Sequence, residues 1–200
     1  MRHGFVKVAA ATPDIRVADV AYNTQKICGL IDETVKEGAK VVAFPELCVT
    51  GYTCGDLFTQ EVLLKEARAA LHKIARHTKG KDALIFVGVP VAVEGKLYNV
   101  AAALNQGKIL GLTTKSFLPN YGEFYEMRQF TPGPQTVREI TFEGKKIPFG
   151  PQILFQAEGM EELVVAAEIC EDVWVMDPPS ISHAKAGATV TGSAEYSGGT

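Results

Sequence analysis

The sequence predicts an α/β fold with a mixed sheet, and two patterns carry that prediction. Near the start, a strand-like run, an amphipathic helical segment and a second strand-like run follow one another, an order that makes a parallel pair with a right-handed crossover. Further on, three strand-like runs are divided by the short turns Glu94-Gly95 and Gln106-Gly107, which make antiparallel neighbours. With 200 residues, 46% of them hydrophobic and 22% charged, the chain suits one ordinary globular core.

Residues 5–11 read as the first strand, ended by Thr12-Pro13-Asp14. Over residues 19–37 the apolar positions Val20, Ile27, Leu30, Ile31 and Val35 recur at helical spacing, with Asp19 as N-cap and Gly38 at the C-terminal end. Residues 40–44 form a buried strand that runs into Pro45-Glu46-Leu47, and residues 50–56 a loop. A second helix spans 60–77 with Leu63, Leu64, Ala67, Leu71 and Ile74 inward; His72 and His77 lie on it without a partner at metal-ligand spacing. Strands follow at 83–93, 97–105 and 108–114, the last delivering Lys115.

Residues 120–130 are an aromatic, acidic loop whose rings either plug a surface gap or line a pocket. After the turn Thr131-Pro132-Gly133-Pro134, a hairpin is expected over 137–149, then strands at 152–156 and 163–167, the latter running into Glu168-Ile169-Cys170-Glu171-Asp172. Pro178-Pro179-Ser180 opens a short helix to Ala186. A strand begins at Ala188 and is expected to dissolve after Val190 into a polar, Gly/Ser-rich tail over 191–200, in which Ser197-Gly198-Gly199 is a chance likeness to a phosphate-binding loop.

A net charge of −3 with no Lys/Arg block argues against nucleic acid or anionic membranes as partners. No run reaches the length of a membrane span, and the N-terminus lacks a signal-peptide core, so the expected compartment is the cytoplasm. Cys28, Cys48, Cys54 and Cys170 match no zinc spacing and are expected as free thiols.

Three reactive groups, Glu46, Lys115 and Cys170, therefore follow apolar strands. A carboxylate can take a thiol proton, an ammonium can stabilise an oxyanion, and a thiolate can attack a carbonyl carbon. The three carboxylates around Cys170 in sequence disfavour a second negative charge there, which is a reason for a cation such as Lys115. Together the groups suit acyl transfer.

In order and approximate spacing, Phe44-Pro45-Glu46-Leu47, Lys115-Ser116-Phe117-Leu118-Pro119 and Cys170-Glu171-Asp172 resemble the three signature segments of the nitrilase (carbon–nitrogen hydrolase) superfamily. More narrowly, Thr50-Gly51-Tyr52, Asp56-Leu57-Phe58, the stretch Leu118 through Glu126, and Glu168 through Trp174 with Pro178-Pro179-Ser180 are similar to the N-terminal glutaminase domains of glutamine-dependent NAD synthetases. This resemblance implies an α-β-β-α sandwich over residues 1–190 with its C-terminal strands missing. It further implies Glu46 as general base, Lys115 as oxyanion stabiliser, and Cys170 as nucleophile forming a glutamyl thioester. Tyr52, Tyr121, Phe124 and Glu171 would line the glutamine pocket, the Glu171 backbone N–H would add to the oxyanion hole, and Glu123 would support the triad.

The same resemblance implies no cofactor or metal for glutamine hydrolysis; ATP and Mg are implied only for a synthetase domain, absent from this chain, that uses the ammonia to convert deamido-NAD to NAD. The expected partners are L-glutamine, that synthetase domain, and further copies of the chain in a homo-oligomer. Thr191-Gly192-Ser193-Ala194 departs from the family's pattern where it closes the substrate site. Two other readings stand beside this one: a stand-alone amidase on another small amide, and a non-catalytic fragment acting only in association.

Overall fold

The apolar stripe that begins at Val20 buries Val20, Ile27 and Ile31 along helix α1 (Val20–Lys36), and the Asp19 side chain caps its first turn by accepting the Tyr22 N–H. In the computed structural model, which describes residues 4–195, α1 connects β1 (Val8–Ala10) to β2 (Val41–Ala43), and these two strands pair in parallel as the sequence predicts. Both are shorter than their apolar runs; β2 stops short of Pro45, which has no N–H for a ladder. Most of the expected loop over 50–56 falls in a kinked stretch of short 3₁₀ turns, Tyr52–Thr59, with non-helical backbone at Thr53 and Gly55, that leads into α2 (Glu61–His77).

Strands β3 (Leu84–Val93), β4 (Lys96–Asn105) and β5 (Lys108–Thr114) form the antiparallel meander. The hairpin β6 (Arg138–Phe142) and β7 (Lys145–Gly150) follows. The β3–β4, β4–β5 and β6–β7 hairpins each turn on a residue-glycine pair in which both residues have positive φ, Glu94-Gly95, Gln106-Gly107 and Glu143-Gly144, so the turn twist matches that of the strands. β8 (Phe155–Ala157), β9 (Met160–Ile169), α3 (Pro179–Lys185) and β10 (Val190–Ala194) complete the described chain.

Two sheets result, a seven-stranded one in the order β1-β2-β3-β4-β5-β7-β6 and a three-stranded one in the order β10-β9-β8. Side chains alternate across each strand, so the large sheet has two apolar faces. Ile85, Val87, Val89, Val100, Ala102 and Leu104 pack with Ile27 and Ile31 of α1 and Leu63, Leu71 and Ile74 of α2. From the opposite face, Val41, Phe86, Ala101 and Ala103 meet Leu163, Val165, Ala167 and Ile169 of β9. α3 covers the far side of β9, which completes an α-β-β-α sandwich. Each fully buried aliphatic side chain in these layers contributes roughly 1.5–3 kcal/mol.

The end of the chain corrects one expectation. The strand that begins near Ala188 does not dissolve after Val190; β10 continues to Ala194 and pairs in parallel with β9 from Val165 to Ile169. Val190, Gly192 and Ala194 turn inward while Thr191 and Ser193 are exposed, so this half-covered strand needs apolar or small residues only at alternate positions. Residues 191–194 are therefore part of the sheet rather than a tail. Ser197-Gly198-Gly199 and the rest of the tail from residue 196 lie outside the described residues. Among the described residues, no helix is long and apolar enough to cross a membrane.

Strand direction decides where the reactive groups emerge. β2 runs parallel to β3, and β5 returns to the direction of β3 after two antiparallel steps, so Glu46 and Lys115 leave the large sheet at the same end. The Glu46 turn also passes directly over β3 at Gly88. A Cβ there would lie 2.3 Å from the Pro45 carbonyl oxygen and 2.4 Å from the Leu47 nitrogen, both backbone atoms that cannot swing aside. Gly88→Ala is expected to cost about 3 kcal/mol in urea unfolding by overpacking, and to lower activity by displacing Glu46.

Candidate active site

Glu46 follows β2 in a turn whose next residue, Leu47, has φ 49°, and whose chain is pinned to β3 by the Val49 N–H donating to the Gly88 carbonyl at 3.2 Å. Lys115 follows β5 and donates its backbone N–H to the Asn99 carbonyl at 2.9 Å. These constraints bring the two side chains into contact: Lys115 Nζ lies 2.6 Å from Glu46 Oε1, with both side chains fully buried. An equally short contact, also 2.6 Å, joins Lys115 Nζ to Glu126 Oε1.

Asn99 and Tyr52 complete this cluster. Asn99 Nδ2 donates to Glu46 Oε1 at 2.6 Å, and the Tyr52 hydroxyl donates to Glu126 Oε1 at 2.7 Å. Glu46 Oε2 is buried and accepts no hydrogen bond among the described residues, so one oxygen of this carboxylate is held and the other is not. Burial pushes the Glu46 carboxyl up to about 7, against the pull of Lys115 and with the repulsion of Glu126 adding to the rise. Burial by itself would lower the Lys115 pKa; Glu46 and Glu126 outweigh it and hold the ammonium above its ordinary value. A carboxylate titrating near neutrality beside a fixed cation can exchange protons and stabilise a developing anion.

Cys170 begins a 3₁₀ turn, Cys170–Val173, at the end of β9, and its φ of 47° places it in the left-handed region that a non-glycine residue adopts only under structural constraint. Asp172 supplies that constraint. Its Oδ1 accepts the backbone N–H groups of Ser116 and Phe117 at 3.0 and 2.9 Å, and its Oδ2 accepts that of Ile169 at 3.2 Å. One buried carboxylate thus straps the residue before Cys170 to the two residues after Lys115. Burial pushes Asp172 up to about 6 despite these three donors.

The two other acids flanking Cys170 each accept a hydrogen bond. Glu168 accepts the Ser180 N–H at 3.1 Å, and Glu171 accepts the Tyr121 hydroxyl at 2.8 Å. Tyr121, Phe124 and Tyr52 form a row of edge-on rings, with centroids 5.9 Å apart for Tyr121 and Phe124 and 6.2 Å for Phe124 and Tyr52. Burial, then Glu126, raises the Tyr52 phenol, with Glu46 and Cys170 adding smaller contributions; the Glu171 hydrogen bond raises the Tyr121 phenol, with Cys170 again contributing. Tyr52, Tyr121, Phe124 and Glu171 come together through these ring contacts and the Tyr121–Glu171 hydrogen bond.

One expected residue is misplaced. Glu123 is exposed, and the carboxylate that meets Lys115 is Glu126. The reason is local: the loop closes on a 3₁₀ turn, Glu126–Arg128, whose first residue is turned inward as its N–H reaches the Pro119 carbonyl. Asn99 and Asp172 also escaped assignment. An asparagine inside the apolar run Leu97-Tyr98-Asn99-Val100-Ala101 was the available signal, since a buried amide is costly without partners. Among the described residues no group of three or more His, Cys, Asp and Glu is placed to hold a metal ion.

Comparison with known proteins identifies the family and the fold. Residues 7–194 match the carbon–nitrogen hydrolase family. The glutamine-dependent NAD(+) synthetase of Mycobacterium tuberculosis is 37% identical over 189 residues, which is 94% of this chain but 28% of that protein. The glutamine-dependent NAD(+) synthetase structure from Cytophaga hutchinsonii superposes with a TM-score of 0.84 at 28% identity, covering 96% of this chain and 30% of its own. An amidase structure from Nesterenkonia, with a TM-score of 0.67 at 21% identity, covers 98% of this chain and 66% of its own and shares the fold. This chain thus spans less than a third of the length of the synthetases it resembles.

Proposed function

Because this chain belongs to the carbon–nitrogen hydrolase family, we propose that it hydrolyses the side-chain amide of glutamine through Cys170, Glu46 and Lys115. The observation that carries the proposal is the buried Glu46–Lys115 pair, strapped through the Lys115 segment and Asp172 to the turn that holds Cys170. Glu46 takes the Cys170 thiol proton, and the thiolate attacks the amide carbon of glutamine. Lys115 stabilises the oxyanion, with the Glu171 backbone N–H as a second donor. Collapse breaks the carbon–nitrogen bond, Glu46 returns its proton to the departing nitrogen, and ammonia leaves a glutamyl thioester. Water then attacks the thioester with Glu46 as base, which releases glutamate and restores the thiol.

Tyr52, Phe124 and Tyr121 wall the approach, and Glu171 offers a carboxylate to the substrate's ammonium group. The relatives are named glutamine-dependent NAD(+) synthetases, which supports use of the ammonia in making NAD; we further propose that it passes to an ATP- and Mg-dependent synthetase domain that converts deamido-NAD to NAD, in a cytoplasmic homo-oligomer. Turnover of glutamine, compared with aliphatic amides and nitriles, tests the substrate. Ammonia release with a glutamyl adduct on Cys170 in a quenched mass spectrum is the expected result. Preference for an aliphatic amide would move the chain to the amidase reading.

A further inference from the structure

We propose that a basic groove at the opposite end of β5 from Lys115 binds a small multivalent anion carrying two or more linked phosphate groups. The groove encloses about 880 Å³ between α2, the start of β5 and the β6–β7 hairpin. Lys65, Arg68, Arg76, Lys108, Lys145 and Lys146 line it, six of the chain's 20 Lys and Arg residues, against one lining carboxylate, Glu143. This concentration occurs in a chain whose net charge is −3.

Three of the six already have acidic partners: Lys65 with Glu61 at 2.9 Å, Arg68 with Glu143 at 3.4 Å, and Lys146 with Glu139 at 3.0 Å. Arg76, Lys108 and Lys145 have none among the described residues. His72 Nε2, also on the wall, is buried without a hydrogen-bond partner, and Glu143 is 4.0 Å from it. Like charges gathered by three separate elements repel one another, and an anion spanning them relieves that repulsion while giving the exposed Arg76, Lys108 and Lys145 an acidic partner. A single phosphate reaches one or two of these donors; linked phosphates reach across the set.

The wall also selects against a stacked base. Phe142 is 7% exposed, with the Arg68 guanidinium 5.7 Å from its ring centroid and the His72 ring stacked at 5.9 Å and 21°. Its face is already taken, so recognition falls to charge. The acidic balance of the remaining chain disfavours long polyanions that overrun the groove.

Calorimetric titration of the chain with tripolyphosphate at low salt tests the proposal, with orthophosphate, a nucleoside triphosphate and a glutamate-rich peptide of equal charge as separate arms. The expected result is saturable one-to-one binding of tripolyphosphate and of the nucleoside triphosphate with similar affinity, and much weaker binding of orthophosphate. Reversing Arg76 and Lys108 together to glutamate should weaken binding by about a hundredfold, and the neutral Arg76→Gln/Lys108→Gln pair by about tenfold, both with unchanged circular dichroism. Reversing Lys26 and Lys36, on α1, should leave affinity unchanged. Absence of saturation, an equal loss on reversing Lys26 and Lys36, or tighter binding of the acidic peptide would each overturn the proposal.

Discussion

Cys170→Ala is expected to lower glutamine hydrolysis by about 10⁴-fold or more and to abolish the glutamyl adduct. No other cysteine is equipped to take over. Cys48 is fully buried and its thiol is pushed up to about 12 by that burial; burial likewise raises Cys28 and Cys54. None of the three follows β9 or lies on the strap formed by Asp172. Alanine meets the positive φ of position 170 at much the same steric cost as cysteine, so the turn should persist. Circular dichroism and glutamine binding are therefore expected to survive while ammonia release does not. Cys28→Ala serves as the control with activity retained. Ammonia release at the wild-type rate from Cys170→Ala would remove the thioester route altogether.

Glu46→Gln is the second large effect, about 10²–10⁴-fold in kcat/KM for loss of a general base. Its distinguishing feature is a pH profile. The Glu46 carboxyl is pushed up to about 7 by burial, so the wild-type rate should climb as pH rises through 7 and the base ionises. In Glu46→Gln that acid limb should disappear, leaving a low, flat rate. Glu126→Gln gives the complementary sign: the Glu126 charge helps to raise the Glu46 pKa, so its removal should carry the limb to lower pH. The stability consequence runs the other way from activity. Folding raises the Glu46 pKa from 4.5, so the folded state holds this proton more tightly than the unfolded one, and Glu46 detracts from stability as pH climbs from 4.5 to about 7. A wild-type profile flat through neutrality would sink the assignment of Glu46 as base.

Much of the scaffold was legible because its signals are local. The Asp19 cap, the stripe of α1 and the three residue-glycine turns each report their own structure within a few residues. Strand order in the meander follows from those turns, and the parity of antiparallel steps then puts Glu46 and Lys115 at one end of the sheet. β10 misled for the complementary reason. A strand covered on one face keeps apolar or small residues only at Val190, Gly192 and Ala194, and the alternating Thr191 and Ser193 read as loop when every position is counted equally.

By itself the sequence determined that a carboxylate, an ammonium and a thiol each follow an apolar strand, and that their motifs resemble those of carbon–nitrogen hydrolases. Only the tertiary structure decided which carboxylates Lys115 meets, replacing Glu123 with Glu126, and it alone revealed Asn99 beneath the pair and Asp172 bridging two chain segments 55 or more positions apart. The physical reason is one of range. Caps, turns and side-chain periodicity are fixed by neighbours in sequence, whereas the direction of a side chain leaving an irregular loop is fixed by whichever buried partner the packing of distant strands presents to it.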